Sequence, residues 1–113
     1  MLNLLSKKIY VVDDDELVLK SIKRKLANYG FTDITTFDNG YDCVEHLNNK
    51  PFLILLDYQM ENFNGHDVPR KIKRYNPNIH EIMLSSQRDV ANAVKILKHG
   101  AFDYITKGKS DLN

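Results

Sequence analysis

Short apolar runs that alternate with segments of helical periodicity limit the fold of this chain more than any other feature. The runs 8–12 (KIYVV) and 52–56 (FLILL) are almost uninterrupted, which is typical of strands buried on both faces of a parallel sheet. After Asp15 the pattern changes, because apolar residues recur every three or four positions, as on one face of a helix. Strands alternating with helices predict an α/β fold, a doubly wound parallel sheet covered on both faces.

The same patterns divide the rest of the chain into elements. Asp15 can cap the first helix and Gly30 can end it. Pro69 is compatible with its helix only in the first turn. We expect the inner face of the first helix to carry Leu19, Ile22, Leu26 and Tyr29. Strands are predicted at 8–12, 32–37, 52–56, 79–84 and 102–106. Further helices are predicted at 39–49, after Gly65 to about Tyr75, and at 89–100.

Size and composition exclude several classes of protein. The 113 residues suffice for one domain with one core, so we expect residues 1–113 to form a single domain. The net charge of +1 gives no reason for broad attraction to nucleic acid or to a membrane. There is no apolar run of the ~20 residues that cross a bilayer, and no secretory signal at the start. The single cysteine, Cys43, fits a reducing compartment, so we expect a cytoplasmic protein.

Polar and charged side chains follow the predicted strands where each strand ends. In open sheets of this class, ligands bind outside the carboxyl ends of the strands. Groups that follow different parallel strands would therefore share one edge and form one pocket. The candidates are Asp13, Asp14 and Asp15 after the first strand, Asp57 after the third, Ser85 and Ser86 after the fourth, and Thr106 and Lys107 after the fifth.

Carboxylates gathered in one pocket repel one another, and a hard divalent cation is the natural partner for them. Mg²⁺ binds a few carboxylate or carbonyl oxygens, water and phosphoryl oxygens. Asp57 can act as a nucleophile that forms an acyl phosphate, with the negative charge held by the metal and by Lys107. Each feature also has a plainer interpretation. DDDE is by itself more often a solvated turn and helix cap, and Ser85 and Lys107 are ordinary turn and surface residues when taken singly.

The motifs taken in order resemble the receiver domains of two-component response regulators, of the chemotaxis-Y-like kind, over residues 8–107. VVDDDE is similar to the family's acidic pair, and LLDYQMENFNG is similar to its phosphoacceptor loop. IMLSS and GAFDYITK are similar to the segments that carry its switch residues and its lysine. The resemblance implies a flavodoxin-like, five-stranded sheet in the order 2-1-3-4-5.

The resemblance also implies roles for individual residues. Asp57 would be the phosphoacceptor. Mg²⁺, or Mn²⁺ in its place, would be bound by Asp13, Asp14, Asp57 and the backbone carbonyl of Gln59. Ser85 and Lys107 would bind the phosphoryl group, Ser85 and Tyr104 would switch, and Gln59 and Gln87 would tune dephosphorylation.

Three departures from the family pattern affect these expectations. Glu61 replaces the usual proline of the acceptor loop, so we expect a more mobile loop. Gly108 follows Lys107 where the family has proline, often after a cis bond. Because a cis peptide before glycine costs ~2.5–4 kcal/mol, we favour trans. The chain ends at Asn113, so we expect the fifth helix to be missing or truncated and the chain to be a fragment of a longer regulator that could dimerise.

The implied function is phosphorelay signalling. A histidine kinase or phosphotransfer protein would donate the phosphoryl group, and the surface of helix 4 and strand 5 would control an output domain or a downstream partner. Such a domain dephosphorylates itself slowly and is not a turnover enzyme. Two alternatives stay open: a degenerate receiver that acts only as a docking module, and a Mg²⁺-dependent phosphatase, which Gln59 disfavours because those phosphatases have an acid there. RKIKRY at 70–75 favours a solvated helix face over direct binding of nucleic acid.

Overall fold

The computed structural model describes residues 4–57 and 67–84, in which four parallel strands form one sheet in the order β2-β1-β3-β4. This confirms the α/β class and the order 2-1-3-4. The predicted helix at 89–100, the fifth strand and the fifth helix lie outside the described residues. The strands are β1 Lys8–Val12, β2 Asp33–Phe37, β3 Leu53–Asp57 and β4 His80–Leu84. The helices are α1 Glu16–Asn28, α2 Gly40–Glu45 and α3 Asp67–Tyr75. Two 3-10 turns cover Leu4–Ser6 and Leu47–Asn49.

The sheet separates two apolar clusters, and this is why β1 is apolar from Ile9 to Val12 and β3 from Leu53 to Leu56. Alternate residues of a strand point to opposite faces, and every residue from Ile9 to Val12 and from Leu53 to Leu56 is buried. One face packs against α1, with Ile9, Val11, Leu53 and Leu55 contacting Leu19, Ile22 and Leu26. The other packs against α2 and α3, with Tyr10, Val12, Ile54 and Leu56 contacting Cys43, Leu47 and Ile72.

Helix α1 begins and ends where the sequence predicts. Asp15 caps it, because its Oδ1 accepts a hydrogen bond from the backbone N–H of Leu17 at 2.9 Å. After the helix, Gly30 has a φ of +105°, a conformation that favours glycine. The prediction for Tyr29 is wrong: it is the residue at the helix end and is 41% exposed, since the inner face ends at Leu26.

The predicted helix 39–49 is broken into α2 and a 3-10 turn. Asn39 caps α2 by accepting a hydrogen bond from the backbone N–H of Asp42 at 2.8 Å. The break falls at His46, whose backbone carbonyl accepts a hydrogen bond from the buried hydroxyl of Tyr10 at 2.6 Å. The chain leaves the turn through Lys50, which has a φ of 61°. Side-chain contacts with the sheet and the turn into β3 therefore override the helical pattern of the sequence.

Replacing Lys50 with glycine is expected to stabilise the domain by about 0.5–1 kcal/mol. The left-handed conformation costs a residue with a Cβ about 1–2 kcal/mol, and glycine avoids this cost. Part of the gain is offset because glycine loses more conformational entropy on folding than lysine does. Urea unfolding of both proteins measures the difference. Asn48 precedes Lys50 in the same 3-10 turn, and Asn48→Gly is the control, since Asn48 is exposed and its φ is not positive. A destabilised Lys50→Gly variant would contradict the prediction.

Helix α3 contains Pro69 at its third position, in the first turn, as predicted. Ile72 is fully buried and anchors this helix to the second cluster. In residues 4–57 and 67–84, no helix is both long enough and apolar enough to cross a membrane.

Candidate functional site

Three carboxylates meet at the carboxyl edge of the sheet. Asp13 and Asp14 follow β1, and Asp57 is the last residue of β3, the neighbouring strand. One carboxylate oxygen from each of the three lies within 4.8 Å of the others. The parallel pairing of β1 with β3 brings the three together, because it places the ends of both strands side by side.

The backbone around Asp13 fixes the position of its carboxylate. Its backbone N–H donates to the carbonyl oxygen of Phe37 at 3.1 Å, which extends the pairing of β1 with β2 by one residue. Its Oδ1 accepts a hydrogen bond from the backbone N–H of Asp15 at 2.9 Å. Asp15 in turn caps α1, so its carboxylate serves the helix. The acidic run is therefore divided between the cluster and the helix cap.

The three carboxylates differ in exposure and in electrostatic environment. Asp13 is only 6% exposed, Asp57 is half-buried and Asp14 is exposed. The pKa of Asp13 is raised to about 6, mainly by burial and also by the nearby charges of Asp57, Asp14 and Asp15, although the hydrogen bond from the Asp15 N–H opposes the rise. A carboxylate with such a pKa is costly to keep charged, and a bound cation would remove that cost.

The donor set fits a hard divalent cation. Mg²⁺ takes oxygen ligands, typically one or two carboxylates together with water and phosphoryl oxygens, and does not need a complete protein cage. A cluster that is buried at Asp13 and open at Asp14 offers anionic oxygens on one side and leaves access on the other. Crowding of three carboxylates without any cation would instead favour protonation of one of them.

A second buried acid lies away from this cluster and was not anticipated from the sequence. Glu81 on β4 is 6% exposed, in a position that the apolar pattern of the strand does not mark. Burial raises the pKa of the Cys43 thiol to about 12, and the charge of Glu81 contributes to the rise. A thiol of this kind is protonated and unreactive at neutral pH. Neither residue shares the carboxylate cluster at the end of the sheet.

The remaining predicted site residues belong to segments 58–66 and 85–113, outside the described residues. Their expected roles follow from sequence resemblance alone. The residues concerned are Gln59, Ser85, Gln87, Tyr104 and Lys107. The divergent positions Glu61 and Gly108 and the helix 4–strand 5 surface belong to the same segments.

Similarity to known proteins extends over nearly the whole chain. Residues 9–112 match the family described as "Response regulator receiver domain". The DNA-binding transcriptional regulator NtrC of Escherichia coli K12 is 36% identical over 100 residues, which are 88% of this chain and 21% of NtrC. The response regulator GacA of Pseudomonas aeruginosa is 32% identical over 103 residues, which are 89% of this chain and 48% of GacA.

A solved structure supports the same relationship. The receiver domain of nitrogen regulatory protein C superimposes with a TM-score of 0.61 at 32% identity, covering 83% of this chain and 76% of that one. The chain spans about a fifth of the length of NtrC and about half that of GacA. On the match to the family, the parallel sheet in the order 2-1-3-4 and the acidic cluster at its carboxyl edge, the chain belongs to the receiver domain family of two-component response regulators.

Proposed function

We propose that this domain accepts a phosphoryl group from a histidine kinase or phosphotransfer protein onto Asp57. The observation that carries the proposal is the cluster of Asp13, Asp14 and Asp57, whose oxygens lie within 4.8 Å of one another at the ligand-binding edge of the sheet. Asp57 ends β3, so its backbone is held by the sheet while its half-buried side chain lies at the edge. The resemblance of LLDYQMENFNG to the family's phosphoacceptor loop supports Asp57, rather than Asp13 or Asp14, as the acceptor.

Asp13 and Asp14 would hold Mg²⁺ or Mn²⁺ together with Asp57 and the backbone carbonyl of Gln59. The cation supplies neutralisation of charge on the phosphoryl oxygens. The chain's own contribution is to position a ligand: the Phe37 carbonyl and the Asp15 N–H hold Asp13 in place before a cation binds. An aspartate side chain is short, so fixing its backbone also restricts the position of its carboxylate.

The transfer itself requires one bond to form and one to break. A carboxylate oxygen of Asp57 attacks the phosphorus of a phosphohistidine, and the P–N bond breaks. The imidazole leaves with the electron pair of that bond and takes up a proton from solvent. The product is an aspartyl phosphate, which water later hydrolyses to return the free carboxylate.

The rest of the proposed cycle rests on residues beyond those described. Ser85 and Lys107 would bind the phosphoryl oxygens, Tyr104 would turn inward with Ser85, and Gln59 and Gln87 would set the lifetime of the phosphorylated state. The resulting change at helix 4 and strand 5 would act on an output domain or a downstream protein. We assign residues 1–113 to one domain with its core at 8–107, in a cytoplasmic signalling protein that is not a turnover enzyme.

Intact-mass spectrometry after incubation with acetyl phosphate tests the proposal. Wild-type protein with Mg²⁺ is expected to gain one phosphoryl group, and protein treated with chelator is expected to gain none. Asp57→Ala is expected to abolish the gain completely, because the nucleophile is removed. The matched control is Asp38→Ala, which removes a carboxylate that follows β2 and is not in the cluster.

The alternative of a docking module predicts a different result. Wild-type protein that is folded and binds Mg²⁺ but gains no phosphoryl group would refute the proposal and favour docking alone. Equal labelling of Asp57→Ala and wild type would show that another residue is the acceptor.

A further inference from the structure

Helix α3 presents an exposed basic surface on the outside of the second cluster. Arg70, Lys71, Lys73 and Arg74 are all exposed, and they surround the buried Ile72 within five residues of sequence. Tyr75 at the end of the helix is 55% exposed, and Tyr41 on the adjacent α2 is 77% exposed. We name this the α2–α3 basic surface, formed by Tyr41, Arg70, Lys71, Lys73, Arg74 and Tyr75.

Close packing of α2 on α3 joins these residues into one surface. A Cβ on Gly40 would lie 2.5 Å from Cγ2 of Val68, so the two helices meet where glycine leaves room. Tyr41 follows Gly40, and its ring centroid is 5.5 Å from Nζ of Lys71. This distance is within the range of a cation–π contact, which holds one face of the tyrosine ring toward α3.

The charges of this surface are not neutralised within the described part of the chain. None of the four cations of α3 forms an ion pair there. Helix α1 on the opposite face also carries exposed cations, including Lys20 and Arg24. The α2–α3 basic surface differs from α1 by combining two arginines with two exposed tyrosines, and arginine and tyrosine are the residue types enriched in protein interfaces and their hot spots.

We propose that the α2–α3 basic surface binds an acidic peptide segment of a partner protein. Arg70 and Arg74 are four residues apart, so they lie on the same face of the helix about 6 Å from each other. Their guanidinium groups can each bind a carboxylate through two hydrogen bonds. Tyr41 and Tyr75 offer apolar ring surface beside these charges, which suits an apolar side chain placed between the carboxylates. The inference does not depend on phosphorylation of Asp57.

The charge distribution favours a peptide over a nucleic acid. Helix α3 has nine residues and is therefore only about 13 Å long. Because α3 runs back to the amino edge of the sheet where β4 begins, its start is nearer to the carboxyl edge with Asp14 and Asp57. A nucleic acid strand that extended past the start of α3 would come close to these carboxylates, and its phosphates would be repelled by them. A peptide of two or three helical turns can stay within the basic surface.

Binding of a labelled acidic peptide to the whole chain tests the inference. The probe is a peptide of about three helical turns, with glutamates one turn apart and leucine and phenylalanine between them. Fluorescence anisotropy gives its affinity. Arg70→Glu/Arg74→Glu is expected to weaken binding about tenfold or more, since two favourable contacts become repulsive. The matched control, Lys20→Glu/Arg24→Glu, makes the same charge change at the same spacing on α1 and is expected to leave the affinity within about twofold.

A second variant separates aromatic contact from charge alone. Tyr41→Ala leaves the charge unchanged and is expected to weaken binding about threefold or more through lost ring contact. Circular dichroism confirms that each variant is folded, as expected for exposed positions.

Three results would each overturn the inference. The first is equal loss in the two double variants, which indicates general electrostatic attraction. The second is equal binding of a probe with glutamine in place of glutamate. The third is tighter binding of a single-stranded oligonucleotide than of the peptide.

Discussion

In metal-free buffer at neutral pH, the Asp13→Asn variant is expected to be more stable than wild type by about 2 kcal/mol. The folded state raises the pKa of Asp13 from 3.8 to about 6, and each pKa unit corresponds to about 1.4 kcal/mol of cost for the charged form. The full shift corresponds to a cost of about 3 kcal/mol, which Asp13→Asn removes. Burying the amide of asparagine has a smaller cost of its own, so the expected net gain is about 2 kcal/mol. Asparagine keeps the Oδ1 acceptor for the Asp15 N–H. Urea unfolding measures the difference.

The pH dependence has a definite sign. Because the pKa of Asp13 is higher in the folded state than in the unfolded state, the folded protein binds more protons between about pH 4 and pH 6. The cost is fully present above the folded pKa and is lost as the pH falls below it. The Asp13-dependent part of wild-type stability is therefore expected to rise from pH 7 to pH 5. The difference between wild type and Asp13→Asn is expected to shrink over the same interval.

Addition of Mg²⁺ is expected to reverse the order of stability. A cation that binds only the folded state stabilises it in proportion to the logarithm of its concentration over the dissociation constant. Wild type gains this stabilisation, and Asp13→Asn loses much of it with the ligand. Asp15→Asn is the matched control, since asparagine caps a helix as well as aspartate does and Asp15 is outside the cluster. Equal stabilisation of Asp13→Asn and wild type by Mg²⁺ would contradict the assignment of Asp13 as a ligand.

Replacing Gly40 with alanine is expected to destabilise the domain by about 2 kcal/mol, although alanine is the better helix former. The added Cβ would lie 2.5 Å from Cγ2 of Val68 and 3.5 Å from its Cβ and Cγ1. Valine in a helix has essentially one χ1 rotamer, so Val68 cannot turn away cheaply. The gain in helix propensity is at most about 1 kcal/mol, so the steric cost decides the sign.

A double-mutant cycle isolates this contact. In the Val68→Ala background the obstructing methyl groups are gone, so Gly40→Ala is expected to be neutral or stabilising by about 0.5 kcal/mol. Urea midpoints and slopes for the four proteins give the coupling energy. The same cost of Gly40→Ala in both backgrounds would show that the destabilisation does not arise from Val68. A lower cost of Gly40→Ala in the Val68→Ala background would show that α2 and α3 pack this closely because residue 40 has no side chain.

Local signals in the sequence were sufficient for the elements that depend on nearby residues. The almost uninterrupted apolar runs at 8–12 and 52–56 predicted strands buried on both faces, and every residue from Ile9 to Val12 and from Leu53 to Leu56 is buried. Asp15 and Gly30 marked the two ends of α1, because capping and left-handed conformation are properties of single residues. The strand order was expected from the family resemblance, since alternation of elements does not determine it.

Features that depend on distant contacts were not predictable. Helical spacing placed Tyr29 inside, but α1 ends at Asn28, and Tyr29 is the cap residue that follows it and is 41% exposed. The break at His46 depends on the hydroxyl of Tyr10, 36 positions away in sequence. At the site, the rule for strand ends predicted that Asp13, Asp14 and Asp57 meet. It did not predict that Asp13 alone of the three is buried, because that depends on Phe37 and the start of α1.

The hydrogen bond from the Asp15 N–H to Oδ1 of Asp13 links the carboxylate cluster to a backbone amide. Protonation of Asp13, or withdrawal of its oxygen toward a cation, weakens this acceptor and shifts the amide proton resonance of Asp15. The neighbouring Leu17 amide, which Asp15 caps, senses the same event less strongly. Two backbone resonances thus report the state of the cluster in a chain that has no tryptophan to provide an optical signal.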